Sequence, residues 1–282
     1  MQVSEALLEE KSVKRAFFDS PEEVDGNLPD WYTEARVAAW KDYEEAPWPK
    51  RTHEAWRFAD LKKLAFDDIV DAGEADGADL ITRSTALEEN AGRIIFANDR
   101  LIADPLLDAE FAQKGVIFKP LSQALVEDAD LVRLSFMQQP ARLGSAKFAA
   151  LHRARLRDGI FLHIPKDVSL SRPVEVFHWL SGENAAIFPH SLIVSGAGSS
   201  AAIAEYVASA DRQPGFCGGV TDLVAGENSK LTHVRTQNLS EQAHSLHVSS
   251  SLAAAGANIH SFVLNLGCQW SRSEFTAHLN GE

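Results

Sequence analysis

Ten histidines and two cysteines are the side chains of this 282-residue sequence best suited to bind a metal or act as a nucleophile. His233, His260 and Cys268 fall on strand-like stretches, as does His278, while His244 and His247 stand close together in the chain. Imidazole and thiolate suit iron or zinc, and two such groups on neighbouring strands can converge. An isolated strand histidine is more often a hydrogen-bonded structural residue. His233, His260 and Cys268 are therefore kept as metal-ligand candidates, and no catalytic or cofactor-binding residue is assigned.

Three other motifs bear on chemistry. Leu192 to Ser195, followed by Gly196-Ala197-Gly198-Ser199-Ser200-Ala201, has the form of a strand leading into G-x-G-x-x-A. In a dinucleotide-binding fold such glycines let the backbone approach a pyrophosphate at a helix N-terminus. That reading, an NAD(P)-dependent oxidoreductase built on Gly196-x-Gly198, requires a helix over 199–209. The competing reading, a glycine corner, requires a strand there, with Ile203, Glu205 and Val207 on one face. His53-Glu54-Ala55-Trp56-Arg57 lacks the second histidine of a zinc-protease helix, so Trp56 is read as a packing anchor. Neither a P-loop nor a G-x-S-x-G elbow occurs, which removes support for nucleotide hydrolysis and serine hydrolase chemistry.

The elements that would position these residues are short strands. Ile160, Leu162 and Ile164 alternate with Phe161 and His163, and Val174 and Val176 with Glu175 and Phe177, the period of two of a strand. Pro165-Lys166-Asp167 reads as the corner between them. Gly196, Gly226 and Gly256 lie 30 residues apart, each followed by an alternating run, which suggests a solenoid whose units bury their faces against one another. Before this core, helices are expected over Ser4–Phe18 and Asp30–Tyr43. An acidic, Ala- and Gly-rich linker is expected over Asp67–Glu89, then a hairpin turning at Asn98-Asp99. A strand at Gly115–Phe118, a helix at Leu121–Val126 and a helical connector over Met137–Leu151 complete the approach. The divisions are 1–90, a helical N-terminal region with its linker; 91–155, a small α+β segment; and 156–282, the core.

Composition narrows the setting. The net charge of −13 is concentrated before Asn90, where 22 acidic residues face 11 basic ones. A surface of that sign repels phosphate backbones, so nucleic acid is not an expected partner. No apolar run approaches bilayer length, and two isolated cysteines suit a reducing cytosol.

Several segments together carry a family resemblance: Lys147 to Leu151 with Arg157 to Leu180, His53 to Phe58 with Leu61, His190 to Val194, Gly226 to His233, and Ser261 to Arg272. In this order the chain resembles the SufB/SufD family, scaffold proteins of the SUF iron–sulfur cluster assembly machinery, and Glu54, Trp56 and Arg57 lean towards its SufD branch. The resemblance implies a mainly β core, a right-handed parallel β-helix, preceded by an α-helical and α+β N-terminal region. It also implies a non-enzymatic scaffold role with a transient iron–sulfur cluster. The implied partners are a SufB-like subunit, the SUF ATPase (SufC-like) that hydrolyses ATP, and sulfur-delivery proteins. A β-helix serving only as a protein-interaction module stays open beside it. Leu279-Asn280-Gly281-Glu282 is similar to the turn at Ala225-Gly226-Glu227-Asn228. The chain is thus expected to stop at a corner, with cluster ligands and ATPase-docking elements beyond Glu282 and an open edge that self-associates.

Overall fold

The computed structural model describes residues 20–21, 28–64 and 68–281, so the helix expected over Ser4–Phe18 lies outside the described residues. Among the described residues six α-helices precede the core: α1 Asp30–Glu45, α2 Gly77–Arg83, α3 Ala109–Gln113, α4 Leu121–Glu127, α5 Ala129–Ser135 and α6 Ala146–Arg155. Five short strands are interspersed, β1 Val70–Asp71, β2 Gly92–Ala97, β3 Arg100–Leu101, β4 Leu106–Leu107 and β5 Ile117–Pro120. Ten more follow: β6 Gly159–Ile164, β7 Val174–Leu180, β8 Ala185–Ile187, β9 His190–Ser195, β10 Ser200–Ser209, β11 Gly215–Ala225, β12 Lys230–Asn238, β13 His244–Ala254, β14 Asn258–Asn265 and β15 Trp270–Asn280.

These ten, joined by β2, form a parallel β-helix, in which short β8 pairs with β11 just ahead of β9. One sheet stacks β6, β9, β11, β13 and β15, and the other stacks β2, β7, β10, β12 and β14, all in parallel register. Residues 200–209 are a strand paired on both sides, which overturns the dinucleotide-binding reading of Gly196-x-Gly198.

The coil shortens as it proceeds, from 30 residues where Ser200 lies beside Lys230, to 28 where Lys230 lies beside Asn258, and 26 where His244 lies beside Trp270. The regular spacing of the three glycines therefore does not mean equivalent corners. Gly226 sits directly above Gly196 and Ala197, and a Cβ on it would meet their backbone at 2.7–2.8 Å. Gly256 is stacked on Asn228 instead, with φ +68°. The left-handed position of each corner is held in turn by Asp167, Gly198, Asn228 and Gly256, an alternation of Asx and glycine. Gly226 is thus required by close backbone approach, whereas Gly256 needs its positive φ as well.

The sheet opening with β6 is covered by helices. Arg36 of α1 donates to the carbonyls of Leu156 (2.6 Å) and Ala154 (3.0 Å), tying α1 to the end of α6. Trp56 is buried as expected of an anchor: its indole donates to Gly144 (3.0 Å), stacks on Trp270 and carries the Arg272 guanidinium 4.0 Å from its ring centre.

The acidic stretch expected as a linker is built into the fold. β1 pairs with β8, Asp76 caps α2, and Leu80 is buried beside Phe177 and Trp179. Fully buried Glu175 accepts from the amides of Ala86 and Leu87 and from Asn90 and Arg93, fixing 86–93 to β7. The hairpin turns at Asn98 (φ 50°) and Asp99 (φ 57°), the two consecutive left-handed residues of a tight two-residue turn. The connector into the core is helical only from Ala146 onward.

Candidate functional site

Alternation along each strand sends every second side chain into the β-helix. From β10 these are Ala201, Ile203, Glu205 and Val207, and from β12 Leu231, His233, Arg235 and Gln237, all but completely buried. The first coils fill the interior with an apolar cluster containing Ile160, Leu162, Val174, Val176, Ile193 and Ile203. Beyond them the same interior columns turn polar, and a layer of charged and titratable groups replaces the aliphatic one.

Glu205 is its centre. His233 Nε2 donates to Glu205 Oε2 at 2.8 Å, His178 Nε2 lies 4.0 Å from Oε1, and Arg235 Nε lies 3.8 Å from the same oxygen. Across the interior, Thr221 Oγ1 of β11 and His247 Nε2 of β13 are 3.1 Å apart. Cys217 of β11 is fully buried and feels the charges of Arg235 and Glu205. Nδ1 of His233, both ring nitrogens of His178, and Nε and Nη2 of Arg235 have no hydrogen-bond partner among the described residues.

Burial sets the protonation of this layer. Desolvation alone would raise the Glu205 carboxyl, but the His233 hydrogen bond and the charges of His233 and Arg235 outweigh it and hold the group ionised, well below the usual carboxylate range. Desolvation lowers His178 to about 4, and it lowers His247 well below 6.5 with help from Arg235, so both imidazoles are neutral at neutral pH. The Cys217 thiol is pushed up to about 12, again chiefly by burial. Burial also raises Cys268. Since the thiolate is the reactive and metal-binding form, both cysteines are quiescent as they stand.

The three metal-ligand candidates are placed apart. His233 points inward, whereas His260 pairs with Thr232 on the outer face of β14 and is exposed. Cys268 sits at the corner before β15 with φ 95°, its Sγ 2.7 Å from the Trp270 carbonyl and 3.2 Å from that of Ala243. Among the described residues no three His, Cys, Asp or Glu side chains are grouped to hold a metal ion. Glu205 and Arg235, which organise the layer, were legible only through strand parity: each shares its face with Ile203 or Leu231.

Comparison with known proteins bears on the same elements. Residues 85–176 match the model described as "SufBD protein N-terminal region", and residues 178–282 match "SUF system FeS cluster assembly, SufBD core domain". The iron–sulfur cluster assembly protein SufD of Bacillus subtilis is 28% identical over 216 residues, covering 75% of this chain and 49% of its own length. An iron–sulfur cluster assembly SufBD family protein of Staphylococcus aureus is 23% identical over 274 residues, covering 91% of this chain and 57% of its own length. The chain spans about half the length of the curated relatives it matches.

Proposed function

This chain belongs to the SufBD family, and from that premise we propose that it acts as a SufD-like scaffold subunit in iron–sulfur cluster assembly. The observation that carries the reading is that the two family regions match, one after the other, the chain from β2 to β15, which includes every coil of the β-helix. In this role the chain supplies a rigid surface and the cluster is cargo. Its partners are a SufB-like subunit, a SufC-like ATPase that hydrolyses ATP, and the sulfur-delivery proteins of the system, all in the cytosol.

The interior chemistry fits a structural layer. The one buried carboxylate of the central layer is paired with His233 and Arg235, the neighbouring histidines are neutral, and both thiols are protonated. In that state the layer balances charge inside the solenoid. The helix cover points the same way, since α1, α6 and the Trp56 anchor lock one sheet face and leave the outer face of β12 and β14 accessible at Val234, Phe262 and Leu264.

The test is co-purification under anaerobic, reducing conditions after expression with the neighbouring genes. A stable complex containing a SufB-like subunit and the ATPase is expected. Recovery of the protein alone, with both partners present in the lysate, would overturn the proposal.

A further inference from the structure

The outer face of the β6 sheet carries a second buried chain of polar groups, separate from the interior layer. His152 Nδ1 of α6 lies 2.7 Å from the Gly218 carbonyl oxygen, and His152 Nε2 lies 3.1 Å from His190 Nδ1 of β9. His190 Nε2 lies 3.4 Å from Asp222 Oδ2 of β11. Asp222 also accepts from the Met137 amide (2.8 Å) and the Ser250 hydroxyl (2.7 Å). His152, His190 and Asp222 are each no more than 3% exposed.

Counting protons along this chain exposes a deficit. A carbonyl oxygen only accepts, so His152 donates from Nδ1 and its Nε2 is bare. His190 must then donate from Nδ1 to that bare nitrogen. A neutral His190 has no proton left for Nε2, which lies 3.4 Å from the Asp222 carboxylate, another acceptor. Two neutral imidazoles therefore supply two protons for three gaps between groups that can only accept at either end. The nitrogen so stranded, His190 Nε2, is buried and has no hydrogen-bond partner among the described residues.

We propose that a third proton resides between His190 and Asp222, making the pair an imidazolium–carboxylate latch that fastens α6 and the Phe136–Met137 elbow to the β-helix. The surroundings suit a cation at His190. The Phe136 ring lies 4.8 Å from the imidazole. The elbow needs a fastening, because Met137 is a non-glycine residue at φ 46° whose amide is held by Asp222. The other titratable groups acting on the chain are Arg153 of α6, which faces both His152 and Asp222, His178 of β7, and His247 of β13. Without that proton a lone pair would face a carboxylate, and the fastening would be lost.

The test uses the whole chain labelled with 15N-histidine. At about pH 7 the long-range proton–nitrogen spectrum should show His190 protonated on both ring nitrogens and His152 on one. A neutral His190 with a bare Nε2 would overturn the latch. In Asp222→Asn the side-chain amide supplies the missing proton, so His190 should become neutral there, and retention of the imidazolium would also overturn it. If the variant does not fold, the parent spectrum alone decides.

Discussion

His233 Nε2 donates a 2.8 Å hydrogen bond to Glu205 Oε2 inside the β-helix, joining β12 to β10 through side chains where the backbone ladder already joins them. The same carboxylate balances Arg235, the largest completely buried side chain of the described residues. Removing one member of such a set strands the other charge in a dry interior, whereas replacing both with apolar groups removes the desolvation penalty together with the attraction. Glu205→Ala should therefore lose about 3–5 kcal/mol of stability. Glu205→Leu combined with Arg235→Met should lose less than Glu205→Ala alone. Urea unfolding of the two variants checks this, and a loss in the double variant as large as that in Glu205→Ala would contradict the coupling.

Acid should destabilise the fold before its carboxylates are reached. His178 is neutral in the folded chain down to about pH 4, but in the unfolded chain it takes up a proton near 6.5. Between those values the unfolded state binds more protons, so stability rises with pH across that window and falls as pH drops through it. The full shift corresponds to about 3 kcal/mol, to which His152 and His247 add in the same direction. His178→Phe, which keeps a ring against Phe96, should flatten the slope of unfolding free energy against pH by about one proton. An unchanged slope would place the acid sensitivity elsewhere.

The corner glycines should be intolerant for two different reasons. Gly226→Ala forces a Cβ to within 2.7 Å of the Ala197 backbone nitrogen, and Gly256→Ala puts a side chain at φ +68° against Asn228. Each should lower the melting temperature by several degrees, equivalent to about 1–3 kcal/mol. Gly77→Ala, at the start of α2 and 3.4 Å from Ile102 Cβ, should leave it unchanged or raised. Equal melting temperatures for all three would remove the stacked-corner account.

Which parts of this architecture could be read from the residues follows from how local their causes are. The Asn98-Asp99 turn, the Pro165 corner and the strand at 200–209 announce themselves within a few residues, through turn chemistry or alternation. The order of 68–93 could not be read there. Its acidic, small-residue composition resembles a linker, and what fixes it is Glu175, more than 80 residues away in the chain. The polar interior layer was hidden for a related reason. Glu205 and Arg235 taken singly are surface residues, and only their register as neighbours on β10 and β12 makes burial tolerable. Evenly spaced glycines pointed to a repeat but not to its register, because the coil shortens by two residues between Gly226 and Gly256.

The final prediction concerns the apolar side chains at the end of the stack. Phe262 is 59% exposed, Leu266 61% and Leu279 79%, and Leu264 and Phe275 are also exposed. β14 pairs only with β12 and β15 only with β13, so each has one unpaired edge among the described residues. An unpaired parallel edge flanked by large apolar side chains is a template for another strand and is usually guarded by charge, which this one lacks at Phe262 and Leu264. The 282-residue chain should therefore self-associate in a concentration-dependent way, despite its net charge of −13, and more strongly at high salt, where repulsion between copies is screened. Phe262→Lys with Leu264→Lys places like charges on the exposed face without entering the interior. It should shift light-scattering mass towards the monomer while leaving the melting temperature within a few degrees. Monomeric behaviour of the parent chain at high concentration and high salt would show that this edge does not recruit a second copy.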